Sequence, residues 1–242
     1  MNIYSIGSFV LLLFISSAHA GILINSTRVI YPADSPEVTL SMTNNATTPR
    51  LIQSWIDDGD SSASPETVSV PFVVTPPIFR INPGEGQSLR IVFTGGNVPK
   101  DRESVFWLNV LEIQPKPNVN KDTTDSYLKF SVRSRLKIFY RPEGLAGSPD
   151  AAPSTISWRL IQNGSDFSLE CINPSPYNVS ISNVRFKNEA ENTDVKNNGM
   201  CPAKGKKLFS VNKPVASAAS KVVFTTIDDL GGFKTNEADY QR

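Results

Sequence analysis

Leu128-Lys129-Phe130-Ser131-Val132 carries a large apolar side chain at every second position. That period puts the three on one face of an extended chain, so the stretch reads as a strand. Val38-Thr39-Leu40-Ser41-Met42 and Leu89-Arg90-Ile91-Val92-Phe93 show the same alternation upstream. Turn formers punctuate the intervals at Asn44-Asn45, Asp58-Gly59-Asp60, Asn82-Pro83-Gly84 and Gly95-Gly96. Residues 116–126, just before the opening stretch, are polar and charged and read as a solvated connection between strands. No window longer than about 12 residues holds a capped helical period. Between residues 142 and 155 the composition turns to Pro, Gly, Ala and Ser without a strand period, as in a linker. Residues 156–160, 167–172, 179–186, 207–211 and 221–227 then read as a second set of strands. The expectation is an all-β chain of two sandwiches, residues 21–141 and 156–242, each of about 100 residues.

The chain has 242 residues, and the first 20 read as a cleavable leader. Residues 6–15 are an apolar run too short to span a bilayer, and Ala18-His19-Ala20 supplies the small-x-small cleavage pattern. The amino terminus is the only positive charge ahead of that run, a departure from the usual basic start. Export is expected, and no later segment reaches the ~18 apolar residues of a membrane helix, so no membrane insertion is. Lys plus Arg total 24 against 23 Asp plus Glu, a net charge of +1. Such a balance gives little long-range attraction to phosphate backbones, which argues against nucleic acid as a partner. His19 is the single histidine and lies in the leader. Cleavage therefore leaves no imidazole for a Ser-His-Asp or Cys-His centre or for a His-ligated metal. No cofactor or metal is called for. Two cysteines, Cys171 and Cys201, suggest one disulfide in an exported chain, with two buried thiols as the alternative.

Further motifs follow one another in a characteristic order. Thr27-Arg28-Val29-Ile30-Tyr31 lies a few residues after the cleavage pattern, and Thr75-Pro76-Pro77, Arg80, Pro83-Gly84 and Leu89-Arg90 follow. Asp101-Arg102-Glu103-Ser104 leads into Val105-Phe106-Trp107-Leu108-Asn109 and Glu112-Ile113, and Lys137-Ile138-Phe139-Tyr140-Arg141-Pro142 closes the first half. Asn173-Pro174-Ser175-Pro176-Tyr177 and Ile227-Asp228-Asp229-Leu230-Gly231 stand in the second. In these motifs the chain resembles the periplasmic pilus chaperones of the chaperone–usher pathway, the PapD-like family, over nearly all of its length after the leader.

The resemblance implies two immunoglobulin-like sandwiches in a boomerang arrangement, located in the periplasm. It also implies a function: to bind, fold and cap pilus subunits by donor-strand complementation and deliver them to an outer-membrane usher. A free form that caps itself as a homodimer is a further possibility in such proteins. Leu128, Phe130 and Val132 correspond to the donor strand, whose alternate side chains fill a groove in an incomplete subunit. Alternation alone would instead turn these three into the chain's own core. Arg28 and Lys137 correspond to the pair that anchors the subunit's terminal carboxylate and so fixes the register of the lent strand. Strict alternation places Lys137 on the face opposite Leu128, Phe130 and Val132, so either a bulge or twist intervenes or the cleft uses the strand's other face. Glu103, Arg141 and Asp229 correspond to an ion network between the domains, with Asp228 as an alternative to Asp229. Residues 116–126, and a first domain without cysteine, resemble the branch with a short loop before the donor strand.

Two rival readings compete with the chaperone. An enzyme would need a substrate site, and Asp57-Asp58-Asp60 and Asp228-Asp229 are the only tight carboxylate clusters. The first of these sits in a stretch that reads as a turn. An exported adhesin or structural sandwich module would share the fold but lack the combination of Arg28, Lys137 and the alternating strand.

Overall fold

The computed structural model describes residues 21–115, 130–187, 197–213 and 221–241. The leader, most of the connection that precedes the opening strand, and Leu128 lie outside the described residues. The amino-terminal unit contains β1 (Ile22–Ile24), β2 (Arg28–Pro32), β3 (Val38–Asn44), β4 (Arg50–Asp57), β5 (Phe72–Thr75), β6 (Ile78–Ile81), β7 (Gly86–Phe93), β8 (Ser104–Ile113) and β9 (Ser131–Arg141). Two sheets face each other, one ordered β1-β3-β7-β5 and the other β2-β9-β8-β4-β6. The alternation read in the sequence sets which side faces in. Leu40 and Met42 of β3 and Leu89 and Ile91 of β7 are buried against Ile52, Leu108 and Ile138 of the opposite sheet. Burial of a side chain of this kind contributes roughly 1.5–3 kcal/mol. Tyr31, Phe72, Phe106 and Tyr140 extend the core with edge-to-face and stacked ring contacts.

The carboxy-terminal unit begins with a four-residue helix, α1 (Ala152–Thr155), inside the stretch that composition assigns to a linker. Its Ala152 is buried in the second core, and Pro153 occupies the first turn, where a missing N–H removes no intrahelical bond. The strands are β10 (Ser157–Asn163), β11 (Asp166–Asn173), β12 (Val179–Phe186), β13 (Gly199–Cys201), β14 (Gly205–Val211), β15 (Lys221–Ile227) and β16 (Phe233–Gln241). They form two leaves, β13-β12-β15-β16 and β10-β11-β14, joined by a short parallel pairing of Trp158 with Tyr240. Trp158, Leu169 and Phe209 of one leaf pack on Val184 and Phe224 of the other. Both units are immunoglobulin-like sandwiches.

Cys171 and Cys201 form a disulfide between β11 and β13, so the bond ties one leaf to the other across the core. Both are fully buried. Replacing the pair by Ala should lower the stability of the carboxy-terminal sandwich by about 2–4 kcal/mol. The measurement is a denaturant midpoint for that transition, with the wild type under reducing conditions shifting by a similar amount.

Candidate functional site

Arg28 and Lys137 face each other directly. β2 and β9 run parallel, with Arg28 opposite Lys137, and both side chains turn toward the second sandwich. The Arg28 Nη1 donates to the Ile227 carbonyl at 3.0 Å and the Lys137 Nζ donates to the Ser180 hydroxyl at 3.3 Å. Among the described residues neither cation has a salt-bridge partner, and the buried Arg28 Nε has no hydrogen-bond acceptor. Burial lowers the Lys137 ammonium below the ordinary lysine range, and the charge of Arg28 lowers it further. Burial also lowers Arg28, against the attraction of Asp229 and Asp228. Arg28 and Lys137 thus present charged donors side by side, one of them an N–H without an acceptor among the described residues, and such an arrangement suits an anion with two oxygens.

The strand that carries Lys137 has an open edge. β9 pairs with β8 along its length, from Ser131 opposite Ile113 to Tyr140 opposite Ser104. Among the described residues only β2 covers its other side, from Lys137 to Arg141, so within them residues 131–136 pair on one side alone. At the start of that edge Phe130 is 62% exposed and Val132 54% exposed. The β8–β9 pairing is continuous, without a bulge, so Val132 shares its face with the buried Leu136, Ile138 and Tyr140. Lys137 projects from the other face, with Arg133 and Arg135. Of the two routes open in the sequence, no bulge separates Val132 from Lys137, and the two stand on opposite faces of the strand.

That opposite face holds a cluster the sequence reading passed over. The Arg133 guanidinium lies 4.9 Å from the centre of the Trp55 ring, and Arg135 lies 4.3 Å from that of Trp107, with the Lys137 ammonium 5.4 Å from the same Trp107 ring. Asp57 is fully buried beneath them. Its carboxylate is paired with Arg135 and accepts from Asn109 Nδ2 at 2.7 Å and from the Gly59 N–H at 2.8 Å. Burial alone would raise its pKa, but these donors, Arg135 first, hold it below the usual carboxylate range. The turn assigned to residues 57–60 therefore needs correction at its first position. Asp57 ends β4, where Trp107 of β8 stands opposite, and it faces arginines in place of a substrate cleft.

The two sandwiches are joined around Arg141. Its Nε donates to Glu103 Oε1 at 2.7 Å, while Nη1 and Nη2 donate to the Asp229 carboxylate at 2.8 and 3.2 Å. Glu103 reaches across as well, accepting from the Asn178 N–H at 2.8 Å, and its own N–H donates to Pro176. Burial raises the Glu103 carboxyl above its ordinary range, against the pull of Asn178 and Arg141 toward the charged form. Asp228 is engaged elsewhere, accepting from the Leu230 and Gly232 N–H groups to close the β15–β16 turn. At that turn Gly231 has a φ of +89°, and a Cβ there would meet the Thr27 hydroxyl at 2.6 Å, so glycine is required where the second domain touches the first.

Comparison with known proteins adds a decisive match. Residues 21–146 fit the family described as "Pili and flagellar-assembly chaperone, PapD N-terminal domain", and residues 151–238 fit "Pili assembly chaperone PapD, C-terminal domain". The chain belongs to the PapD family of pilus-assembly chaperones. It is similar to the chaperone protein FimB/FhaD of Bordetella pertussis, at 40% identity over 98% of this chain and 96% of the relative. The probable fimbrial chaperone YadV of Escherichia coli is likewise 40% identical, over 90% and 89% of the two chains. Among solved structures, the YadV chaperone superposes with a TM-score of 0.72 at 38% identity, covering 90% of this chain and 99% of that one. The CupB2 chaperone of Pseudomonas aeruginosa superposes equally well, at 35% identity over 90% and 100%. Pilus-assembly chaperones are not enzymes, and neither is this one. The partner class the family carries is the pilus subunit, and the compartment is the periplasm.

Two substitutions probe the chaperone's strained cations and its buried carboxylate. Lys137 has a lowered folded-state pKa, so its charged form destabilises the fold, and that penalty is relieved as pH rises through the lowered value. Lys137→Met should therefore be more stable than the wild type by about 1 kcal/mol at pH 7, with the difference shrinking at alkaline pH in urea titrations. Asp57→Asn should cost about 3 kcal/mol, because it leaves Arg135 without its buried partner.

Proposed function

We propose that this chaperone lends the edge at residues 128–136 to an incomplete pilus subunit and holds the subunit's terminal carboxylate between Arg28 and Lys137. The observation that carries the reading is a single strand with two properties. Its upstream half, among the described residues, has backbone groups unpaired on one side and exposed Phe130 and Val132, and its downstream half supplies Lys137 beside Arg28. Backbone pairing along an open edge gives affinity without sequence preference, and apolar side chains at alternate positions add selectivity for a complementary groove. Leu128, outside the described residues, extends the same alternation. A carboxylate fixed at one end sets the register, and a slip of one residue would turn every donated side chain away from the groove. The SafB chaperone of Salmonella enterica, in complex with the SafA pilin, superposes with a TM-score of 0.69 at 26% identity, over 93% of this chain and 98% of that one. A relative of this fold thus engages a pilin.

Glu103, Arg141 and Asp229 set the angle between the two sandwiches in this reading. The Arg141–Asp229 pair is partly exposed and contributes little stability, while the Arg141–Glu103 pair is buried, and a forked guanidinium held on both sides fixes orientation. The remaining steps, export by a leader cleaved after Ala20, transfer to an outer-membrane usher and self-capping of the free form as a homodimer, follow the family pattern.

Co-expression with a fimbrial subunit and pull-down from a periplasmic extract tests the assignment. Arg28→Ala and Lys137→Ala should each leave a folded chaperone that no longer recovers the subunit, and full recovery with the double variant would overturn the anchor. Phe130→Asp should weaken capture by roughly 10- to 100-fold, the equivalent of one buried apolar side chain, while the chaperone stays soluble. A misfolded Phe130→Asp protein would place this residue in the chaperone's own core.

A further inference from the structure

Glu112 is a carboxylate in a core position. On β8 it follows Phe106, Leu108 and Val110 at alternate positions, all of them buried on the inward face, and it is itself buried at the end of the sandwich. A charge placed there must be paired and hydrogen-bonded. Arg50 of β4 supplies one partner, with its Nε donating to Glu112 Oε1 at 2.6 Å, and Arg50 is held in turn by the Thr48 hydroxyl. The backbone N–H of Ile22 supplies a second, donating to Oε2 at 3.1 Å. An ionised carboxylate accepts up to about four hydrogen bonds, and its remaining capacity faces Gly21. A Cβ on Gly21 would lie 2.5 Å from Oε1 and 2.6 Å from Oε2, so the residue sits directly against both oxygens and a side chain there would push the carboxylate aside. Bond geometry then puts the Gly21 nitrogen within roughly 5 Å of Oε1. The Gly21 carbonyl is fixed as well, accepting from the Asn45 N–H at 3.1 Å.

We infer that Glu112 is a receptor for the mature amino terminus, completed only when the leader is removed. Hydrolysis of the Ala20–Gly21 peptide bond adds water across it. The carbonyl carbon keeps a new carboxylate on the leader, and the nitrogen leaves with Gly21 as a primary amine that takes up a proton. Before cleavage that nitrogen is a neutral amide. Afterwards it is an ammonium beside a buried carboxylate that has one cation, Arg50, and capacity for another. The Asn45 N–H, which donates to the Gly21 carbonyl, the Thr48 hydroxyl, which holds Arg50, and Thr43 and Asn44 of β3 are polar neighbours that carry no charge. The new ion pair pins β1 to β8, closing the amino-terminal sandwich at the end opposite the anchor pair. Folding of that domain is thereby coupled to processing, and the leader-bearing chain lacks one of its ties.

The inference rests on the export reading, and the experiment separates the two. The full chain is expressed with its leader, purified from the periplasm and weighed by intact-mass spectrometry, which should give a chain beginning at Gly21. The rate at which an N-hydroxysuccinimide acetyl ester acylates the α-amine near pH 7.5 is then followed by peptide mapping. In the wild type this rate should be about tenfold lower than in Glu112→Gln, corresponding to one pKa unit of protection. A variant with one serine inserted between Ala20 and Gly21, in which Arg50 and Glu112 are untouched, should show the same loss of protection, and it decides the matter if Glu112→Gln does not fold. A mature chain beginning elsewhere overturns the inference through the export reading. A chain beginning at Gly21 whose amine reacts as fast as in the insertion variant overturns the Glu112 receptor and leaves export standing.

Discussion

β2 is five residues long and β9 is eleven, and the mismatch organises the molecule. A parallel neighbour that covers only the last five positions of β9 leaves the first part of that edge, among the described residues, with unpaired N–H and C=O groups. Folded proteins normally cover or charge such an edge because it invites pairing with other chains. Here it is left open and flanked by Phe130 and Val132. The core face of β9 continues past the end of the core itself, so side chains with the parity of Leu136 and Ile138 emerge into solvent. Exposure at this point follows from strand length, with no local irregularity needed.

The same short strand brings Arg28 level with Lys137. Two cations at neighbouring positions of a parallel pair repel each other, and partial burial sharpens the repulsion by removing water. What holds them is the second sandwich, through the Ile227 carbonyl and the Ser180 hydroxyl, together with the ring of Trp107 beneath Lys137. Arg133 and Arg135 continue the row of cations along the same face, where Asp57 and two tryptophans neutralise or shield them. Along one strand the arginines meet a carboxylate or a ring, while the lysine meets a hydroxyl and a ring. The site is a gradient of satisfaction as much as a cluster of charge.

Much of this was legible from side-chain order. Leu40 and Met42, and Leu89 and Ile91, alternate cleanly because each has a sandwich core on one side and water on the other. β16 went unread because only Tyr240 among its nine residues is buried, leaving no apolar period to find. The helix at residues 152–155 is a single turn, too short for a period of its own, in a segment whose Pro and Ala content suits a connector equally well. Asp57 was misplaced for a different reason. Followed by Asp58 and Gly59 it looks like the start of a turn, and only the third dimension supplies Arg135 and Asn109 to make its burial tolerable. The signal that could have found it is the pairing of Trp55 and Asp57 with Arg133 and Arg135, acidic and aromatic positions matched by basic ones at the same spacing of two. The question of parity at Lys137 likewise had no answer in the chain, since a bulge leaves no mark in composition.

Arg28 and Lys137 belong to one sandwich, yet each is steadied by an atom of the other, while Arg141 bolts the two together through Glu103 and Asp229. The spacing and aim of the two cations are therefore set by the posture of the whole molecule. A torque applied far from the cleft, by anything that levers one lobe against its fellow, displaces both cations together. The cationic pair thus answers to mechanics at a distance, with no change needed at Arg28 or Lys137 themselves.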